Sequence, residues 1–210
     1  MFAVSIISIA QYENQLEALR HALTLQQRQD FEFIGEVGDS QPASWKRAIR
    51  RASGEILVFL EAGAKPVNER WLEELVAEVK DANTIVKGLE ITSSPLDPSS
   101  LAGYREAFVD NPFDESYPWA EDTELFCRLQ AAGYHFSQLG CAPVIHPSKP
   151  GSKTVLRRAF HYGLYYQRLR YRYANPVELN SIPSTIKLMV ASLLNLLGVF
   201  VGSILYWNEK

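Results

Sequence analysis

Gly54-Glu55-Ile56-Leu57-Val58-Phe59-Leu60, running straight into Glu61-Ala62-Gly63-Ala64, is the stretch that decides the fold. The run from Ile56 to Leu60 is apolar at every position, lacks the alternation of a half-exposed strand, and is too short for a helix. Bounded by Gly54 on one side and Ala-Gly on the other, it reads as a strand buried on both faces. Working outward, Val4-Ser-Ile-Ile-Ser-Ile9 reads as a buried first strand and Phe31-Glu-Phe-Ile34 as a second. Between and after the strands, apolar residues recur at helical spacing: Leu16, Leu19 and Leu23; Trp45, Ala48, Ile49 and Ala52; and Trp71, Leu72, Leu75, Val76 and Val79. Strand and helix patterns in alternation define an α/β fold, a mostly parallel sheet flanked by helices. Open sheets of this kind bind ligands beyond the carboxyl ends of their strands. Residues 10–12, 37–40 and 61–64 are therefore expected to share one crevice.

The second half is less regular. Residues 84–91 are expected as a further strand, 95–100 as a loop, 122–132 as a helix and 142–146 as a short strand before Pro147. The length of 210 residues suits one good-sized core with an extension. The expected division is a domain over 1–150, a basic, tyrosine-rich helical segment over 151–183, and a hydrophobic C-terminal helix over 184–210. Hydrophobic residues make up 47% and charged residues 21%, which excludes a disordered chain. Cys127 and Cys141 show neither Cys-x-x-Cys nor Cys/His ligand spacing, and the N-terminus does not read as a cleavable signal, so a reducing, cytoplasmic setting is expected. A Gly-x-Gly-x-x-Gly after the first strand and a Gly-Lys-Ser/Thr phosphate loop are both missing, which argues against those two nucleotide-binding classes.

The net charge of −3 conceals an asymmetry. Residues 1–124 hold 22 acidic and 11 basic side chains, whereas residues 125–210 hold 2 acidic and 10 basic. The basic half attracts anions, whether phosphates, pyrophosphates or acidic lipid headgroups. Lys153, Arg157, Arg158, Arg168, Arg170 and Arg172 are interleaved there with Tyr162, Tyr165, Tyr166, Tyr171 and Tyr173. Three uses fit: a solvated helix face, a nucleic-acid surface, or a surface for anionic lipid or a lipid-phosphate acceptor. The chain is acidic overall and has no nucleic-acid motif, so nucleic acid is not an expected partner. The lipid use is preferred because residues 188–207 follow, 20 positions without a charge. At about 1.5 Å per helical residue these reach roughly 30 Å, a bilayer's hydrocarbon thickness. A spanning helix, a helix lying in the interface, and a helix buried on the domain or in a homodimer all remain open. Lys and Arg concentrate on the N-terminal side, which places the main domain on the cytoplasmic face of the membrane.

Gly54–Leu60 leading into Glu61, Asn111-Pro-Phe-Asp-Glu115, Glu121-Asp122 with Leu125, Arg128, Leu129 and Gly133-Tyr134, and Val144-Ile-His146 occur in an order and spacing that resemble the family 2 glycosyltransferases of GT-A fold. The resemblance covers roughly residues 3–170. It implies an inverting transfer of a sugar from a nucleotide-diphosphate donor to an acceptor, here a membrane-held one such as a lipid-linked glycan or polyprenyl phosphate. Such a displacement needs a base for the acceptor proton and positive charge for the departing pyrophosphate. The base position of the family falls on Asp122, with Glu121 beside it. The competing structural reading makes Asp122 an N-cap and Glu124 a first-turn acid. Arg128 and Arg157 are expected on the donor.

Two positions depart from the family pattern. Members usually carry Asp-x-Asp after the third strand, two carboxylates that hold a divalent ion and the donor diphosphate. Here the aligned residues are Glu61 and Gly63, so a Mg²⁺ or Mn²⁺ ion would rest on Glu61, on His146 and on the diphosphate itself, weakly bound or dispensed with. His146 also fits a structural role before Pro147. In the nucleotide pocket the family's acidic turn is replaced by Glu36-Val-Gly-Asp-Ser40, where Asp39 is either a shifted nucleotide contact or a turn residue. These departures support the alternative of a non-catalytic relative that keeps the fold as a binding or scaffolding partner.

Overall fold

The computed structural model describes residues 3–38, 40–89, 100–145, 161, 163–165, 168–169 and 171–173. In the first half, strand β1 (Val4–Ala10), helix α1 (Glu13–Leu23), β2 (Phe31–Val37), α2 (Gln41–Arg51) and β3 (Ile56–Leu60) follow the expected alternation. β1 lies between β2 and β3 and is parallel to both, with Ile7 opposite Ile34 on one side and Phe59 on the other. The chain thus turns to one side of β1 for β2 and to the other for β3. This reversal is the switch point at which α/β sheets open a crevice.

Side chains alternate across the strands, so each apolar run is divided between two cores. Val4, Ile6, Val58 and Leu60 join Leu19 and Leu23 of α1 and Trp71, Leu72, Leu75 and Val76 of α3 (Trp71–Ala77). Ile7, Leu57 and Phe59 join Trp45, Ala48 and Ile49 of α2, Phe108 of α4 (Arg105–Asp110), and Leu125 and Leu129 of α5 (Glu121–Ala131). Phe59 packs edge-on against Trp45, Phe108 and Phe113, at centroid distances of 5.2, 4.6 and 6.0 Å. Large rings filling this layer set how closely α2 and α5 approach the sheet.

The second half corrects three expectations. β4 (Lys65–Pro66) and β8 (Val144–Ile145) form a separate antiparallel pair, so the expected 142–146 strand shrinks to two residues. β5 (Thr84–Lys87) ends before residue 91, the last described residue of that stretch being Leu89. Ser100, expected in a loop, opens β6 (Ser100–Tyr104), which runs antiparallel between β3 and β5. With β7 (His135–Gln138) the main sheet has the order β2-β1-β3-β6-β5-β7. Ser-Leu-Ala-Gly-Tyr has weak intrinsic strand preference; pairing with both neighbours and burial impose the state. A Cβ on Gly103 would lie 2.6 Å from Ile85 Cδ1, so a larger residue there would push β6 off its neighbour.

At the opposite end from the crevice, β1 and β3 are locked by a polar knot. Buried Ser5 accepts the Gly54 N–H at 2.8 Å and donates to Glu32 at 2.6 Å. A Cβ on Gly54 would fall 2.5 Å from Ser5 N and 2.6 Å from Val4 C, against backbone that cannot swing away. Gly54→Ala is therefore expected to cost about 2–3 kcal/mol, read as a lower urea midpoint with unchanged slope. Wild-type stability in this variant would show that β1 and β3 are not so closely joined.

Candidate active site

The crevice forms as the switch point requires. β1 and β2 end side by side, the Gly38 N–H donating to the Ala10 carbonyl at 3.3 Å. Tyr12 opens α1, where the Gln15 side chain accepts from the Tyr12 and Gln11 N–H groups, each at 3.1 Å, and leaves Tyr12 61% exposed at the rim. β3 ends in Glu61 and the Ala62-Gly63 turn, closed by the Ala64 N–H on the Glu61 carbonyl at 2.8 Å. Facing these strand ends is the first turn of α5, which carries Glu121, Asp122 and Glu124.

The charge of Glu61, just past β3, reaches Asp122 on that turn. The turn follows directly on the loop before it. The Asn111-to-Glu115 motif is anchored on α2 by stacking of Phe113 on Trp45 (5.7 Å, 18°) and by a Lys46–Glu115 ion pair of 2.6 Å. Asp114 Oδ1 accepts the Ser116 N–H at 2.9 Å, and the Tyr117 N–H donates to the Asp114 carbonyl at 3.1 Å. The chain then turns inward, burying Tyr117 and Ala120 before α5 begins. Ala120, rather than Asp122, is the capping position, and no side chain caps it. The N-cap reading of Asp122 is thus corrected: Asp122 sits one step inside the helix, with its Oδ1 accepting the Thr123 N–H at 2.7 Å.

Asp122 and Glu124 are two acids in one turn with different surroundings. Burial pushes the Asp122 carboxyl up, the Thr123 hydrogen bonds oppose this, and the charge of Glu61 adds to it, leaving Asp122 at about 6. Asp122 as a whole residue is only partly buried, but its carboxyl lies in desolvating surroundings. Glu124 is fully buried and is held by the Arg128 fork, with Nε at 3.0 Å and Nη2 at 2.8 Å. The Tyr173 hydroxyl donates to the same carboxylate at 2.9 Å. Arg128 Nη2 also donates to the Pro112 carbonyl at 2.7 Å. Arg128, expected on the donor, is thus engaged in fixing Glu124 and the incoming loop.

Glu61 lies close enough for its charge to act on Asp122, and Glu121 precedes Asp122 at the start of α5. Asp39, His146 and Arg157 lie outside the described residues. Among the described residues, no three His, Cys, Asp or Glu side chains gather as a metal cage. Sequence reasoning missed Trp119, whose ring stacks on His161 (4.7 Å, 6°), and Tyr117, on whose face the Arg168 guanidinium lies at 4.8 Å. An aromatic two residues before the acidic pair was a visible signal for the first; nothing local marked the second.

Comparison with solved structures sets the fold. The chain resembles a mannosyltransferase, PcManGT from Pyrobaculum calidifontis, solved with GDP-Man and Mn2+ (TM-score 0.67, 14% identity, covering 99% of this chain and 76% of that one). It also resembles glucosyl-3-phosphoglycerate synthase from Mycobacterium tuberculosis, solved with Mn2+, UDP and phosphoglyceric acid (TM-score 0.60, 13% identity, covering 80% and 78%). A third likeness is to S. aureus TarS 1-349 in complex with UDP (TM-score 0.55, 13% identity, covering 78% and 65%). No family model and no curated protein matches the sequence. The fold is the GT-A fold of these glycosyltransferases.

The raised Asp122 carries a sign that stability measures directly. A group whose folded pKa lies above its unfolded value favours the fold below the unfolded pKa, near 3.8, and loses that contribution as pH rises through about 6. The neutral, isosteric Asp122→Asn keeps the bond from Thr123 and avoids the ionisation penalty. In metal-free buffer it is expected to match wild type at pH 4 and exceed it by about 1–2 kcal/mol at pH 8. Equal unfolding midpoints at pH 8 would mean the carboxylate is solvated as in the unfolded chain.

Proposed function

We propose that this protein is an inverting glycosyltransferase that moves a sugar from a nucleotide-diphosphate donor to a membrane-associated acceptor, of the lipid-linked glycan or polyprenyl phosphate kind. The observation that carries the reading is Asp122: a carboxyl raised to about 6, on the first turn of a helix facing the strand ends of a GT-A fold. A base of that strength is ionised at neutral pH and still basic enough to accept a proton in the transition state. As the acceptor oxygen, a glycan hydroxyl or a phosphate P–OH, bonds to the anomeric carbon, its proton passes to Asp122. The bond from that carbon to the diphosphate breaks on the opposite face, and the nucleoside diphosphate leaves. Glu121, largely buried as the first residue of α5, lies beside the base.

The donor's diphosphate needs positive charge. Small hard cations are often held by one or two carboxylates plus substrate phosphates, a donor set that Glu61 with the diphosphate fits better than a dedicated protein cage. Such an ion would supply Lewis-acid stabilisation of the leaving group, with Glu61 and His146 as its protein ligands. Asp39 and Arg157 are assigned to the donor as part of the same proposal. The membrane acceptor, the cytoplasmic face and a homodimer through the C-terminal helix rest on the basic 149–172 run and the uncharged 188–207 run, both outside or only partly within the described residues. Among the described residues, no helix is long and apolar enough to cross a membrane. The non-catalytic alternative draws on Gly63 and Val37 alone and leaves the raised carboxyl without a use.

Calorimetric titration with UDP- and GDP-sugars, with and without Mn²⁺, tests donor binding, and release of nucleoside diphosphate in the presence of a polyprenyl phosphate tests transfer. At least one donor should bind. Transfer should rise with pH through about 6, and Asp122→Asn should lose about 10²-fold or more while binding that donor normally. Glu61→Ala should weaken the Mn²⁺-dependent part of donor binding. Binding of no donor would overturn the enzyme reading, and full turnover in Asp122→Asn would remove Asp122 as the base.

A further inference from the structure

Asp122 is bracketed by two contacts made with the same distant segment. Three residues before it, the Trp119 ring stacks on His161 at 4.7 Å with planes 6° apart. Two residues after it, the Glu124 carboxylate accepts the Tyr173 hydroxyl at 2.9 Å across 49 residues of sequence. Between these points Leu169 is buried against Tyr117 and Ala120. Arg168 donates to the Ser116 carbonyl at 3.2 Å, and Arg172 donates to Asp114 at 3.1 Å. The described residues of 161–173 thus lie along the whole approach to α5 and on its first turn.

The chemistry at Glu124 makes one of these contacts different from packing. Glu124 is fully buried, and among the described residues its charge is met by one cation, Arg128 on the next turn of the same helix. That i,i+4 pair holds the carboxylate to its own helix and, through Arg128 on the Pro112 carbonyl, to the loop just before it. The Tyr173 hydroxyl ties it to a distant part of the chain, since it reaches the same oxygen from 49 residues away. Burial, and the hydrogen bond to Glu124 after it, push the Tyr173 phenol up, so it stays a proton donor throughout the neutral range. The neighbouring Arg172 guanidinium, 5.7 Å from the Tyr173 ring and bonded to Asp114, keeps that ring beside α5.

Resting on the reading of Asp122 as the base, we propose that Tyr173 is a positioning residue: by bonding Glu124 it holds the first turn of α5, and with it Asp122, in register with the strand ends. The described residues of 161–173 are then a working wall of the site. The basic, aromatic composition there, read from sequence as a surface for anions, is used at Arg168 and Arg172 to hold the loop over 114–117 and at Tyr173 to hold the acidic turn.

Tyr173→Phe in the full-length protein removes the hydroxyl and keeps the ring. Two readouts are taken: amide hydrogen exchange at Glu124 and Leu125, with Val58 of β3 as internal reference, and nucleoside diphosphate release from GDP-mannose and UDP-N-acetylglucosamine, assayed separately. The expected result is exchange about 10-fold faster at the α5 amides with Val58 unchanged, since a hydrogen bond to a buried charge is lost. On a donor that turns over, kcat should fall about 10-fold with donor KM within about twofold, the mark of misplacement rather than lost binding. Tyr173→Leu, which removes the ring as well, should give a larger change in the same direction. A part that was only structural would lower the melting temperature without splitting kcat from KM. Unchanged α5 exchange in Tyr173→Phe, or faster exchange with unchanged kcat, overturns the proposal. Asp122→Asn, run alongside, separates it from the functional reading: if that variant keeps its turnover the base assignment fails, whatever the exchange shows.

Discussion

The arrangement of β1 between two parallel partners is the constraint from which the rest follows. A strand paired on both edges and covered on both faces has no route for its polar backbone to water, so every N–H and C=O must be met by β2 or β3. The seven-residue register with β2 and the shorter one with β3 meet this. Ser5 and Ser8 are also fully buried on this strand, and Ser5 uses its hydroxyl to tie the start of β3. Because successive side chains face opposite ways, a strand buried on both faces forces helices onto both. Three helices on one side and two on the other answer that demand, and the reversal at β1 leaves the carboxyl ends of β1 and β3 open to a ligand.

On this frame the acids of α5 show how environment divides labour among like groups. Glu124 and Asp122 stand two residues apart on one helical turn, yet one is neutralised by a bidentate arginine and a tyrosine while the other, among the described residues, meets local hydrogen bonds and the charge of Glu61. The first is a structural charge; the second is the carboxyl proposed above as the base. Keeping Asp122 poorly solvated costs stability at neutral pH. The aromatic layer of Trp45, Phe59, Phe108 and Phe113 behind it supplies the rigidity that lets the cost be borne. Glu61 raises Asp122, and under the proposed function it would also be a carboxylate ligand for a cation on the donor's diphosphate. With Gly63 in the position of the second acid, that proposal leaves part of the ion's coordination to the substrate.

Much of this was readable from residue order. Apolar runs at Val4, Phe31 and Ile56 marked the strands because burial on two faces leaves a composition that no loop shares. Leucine and tryptophan spacing marked α1, α2 and α3 for the same reason. Asp122, Glu121 and Glu61 stood out through the resemblance to family 2 glycosyltransferases, whose base and metal positions fall on them. β6 was not readable: Ser-Leu-Ala-Gly-Tyr carries almost no strand preference of its own, and only the gap between β3 and β5 makes it one. β7 was hidden similarly, as His-Phe-Ser-Gln lies exposed on the sheet edge and shows no apolar run.

The sequence by itself determined the α/β alternation and the end of the sheet at which its strands open, since these depend on local periodicity and residue type. Tertiary structure alone decided how differently two neighbouring acids are surrounded. Glu124 and Asp122 have the same charge and nearly the same position along the chain. What separates them is Arg128 reaching one turn back, Tyr173 arriving from 49 residues away, and the low polarity around Asp122, all set by through-space distances that residue order does not contain.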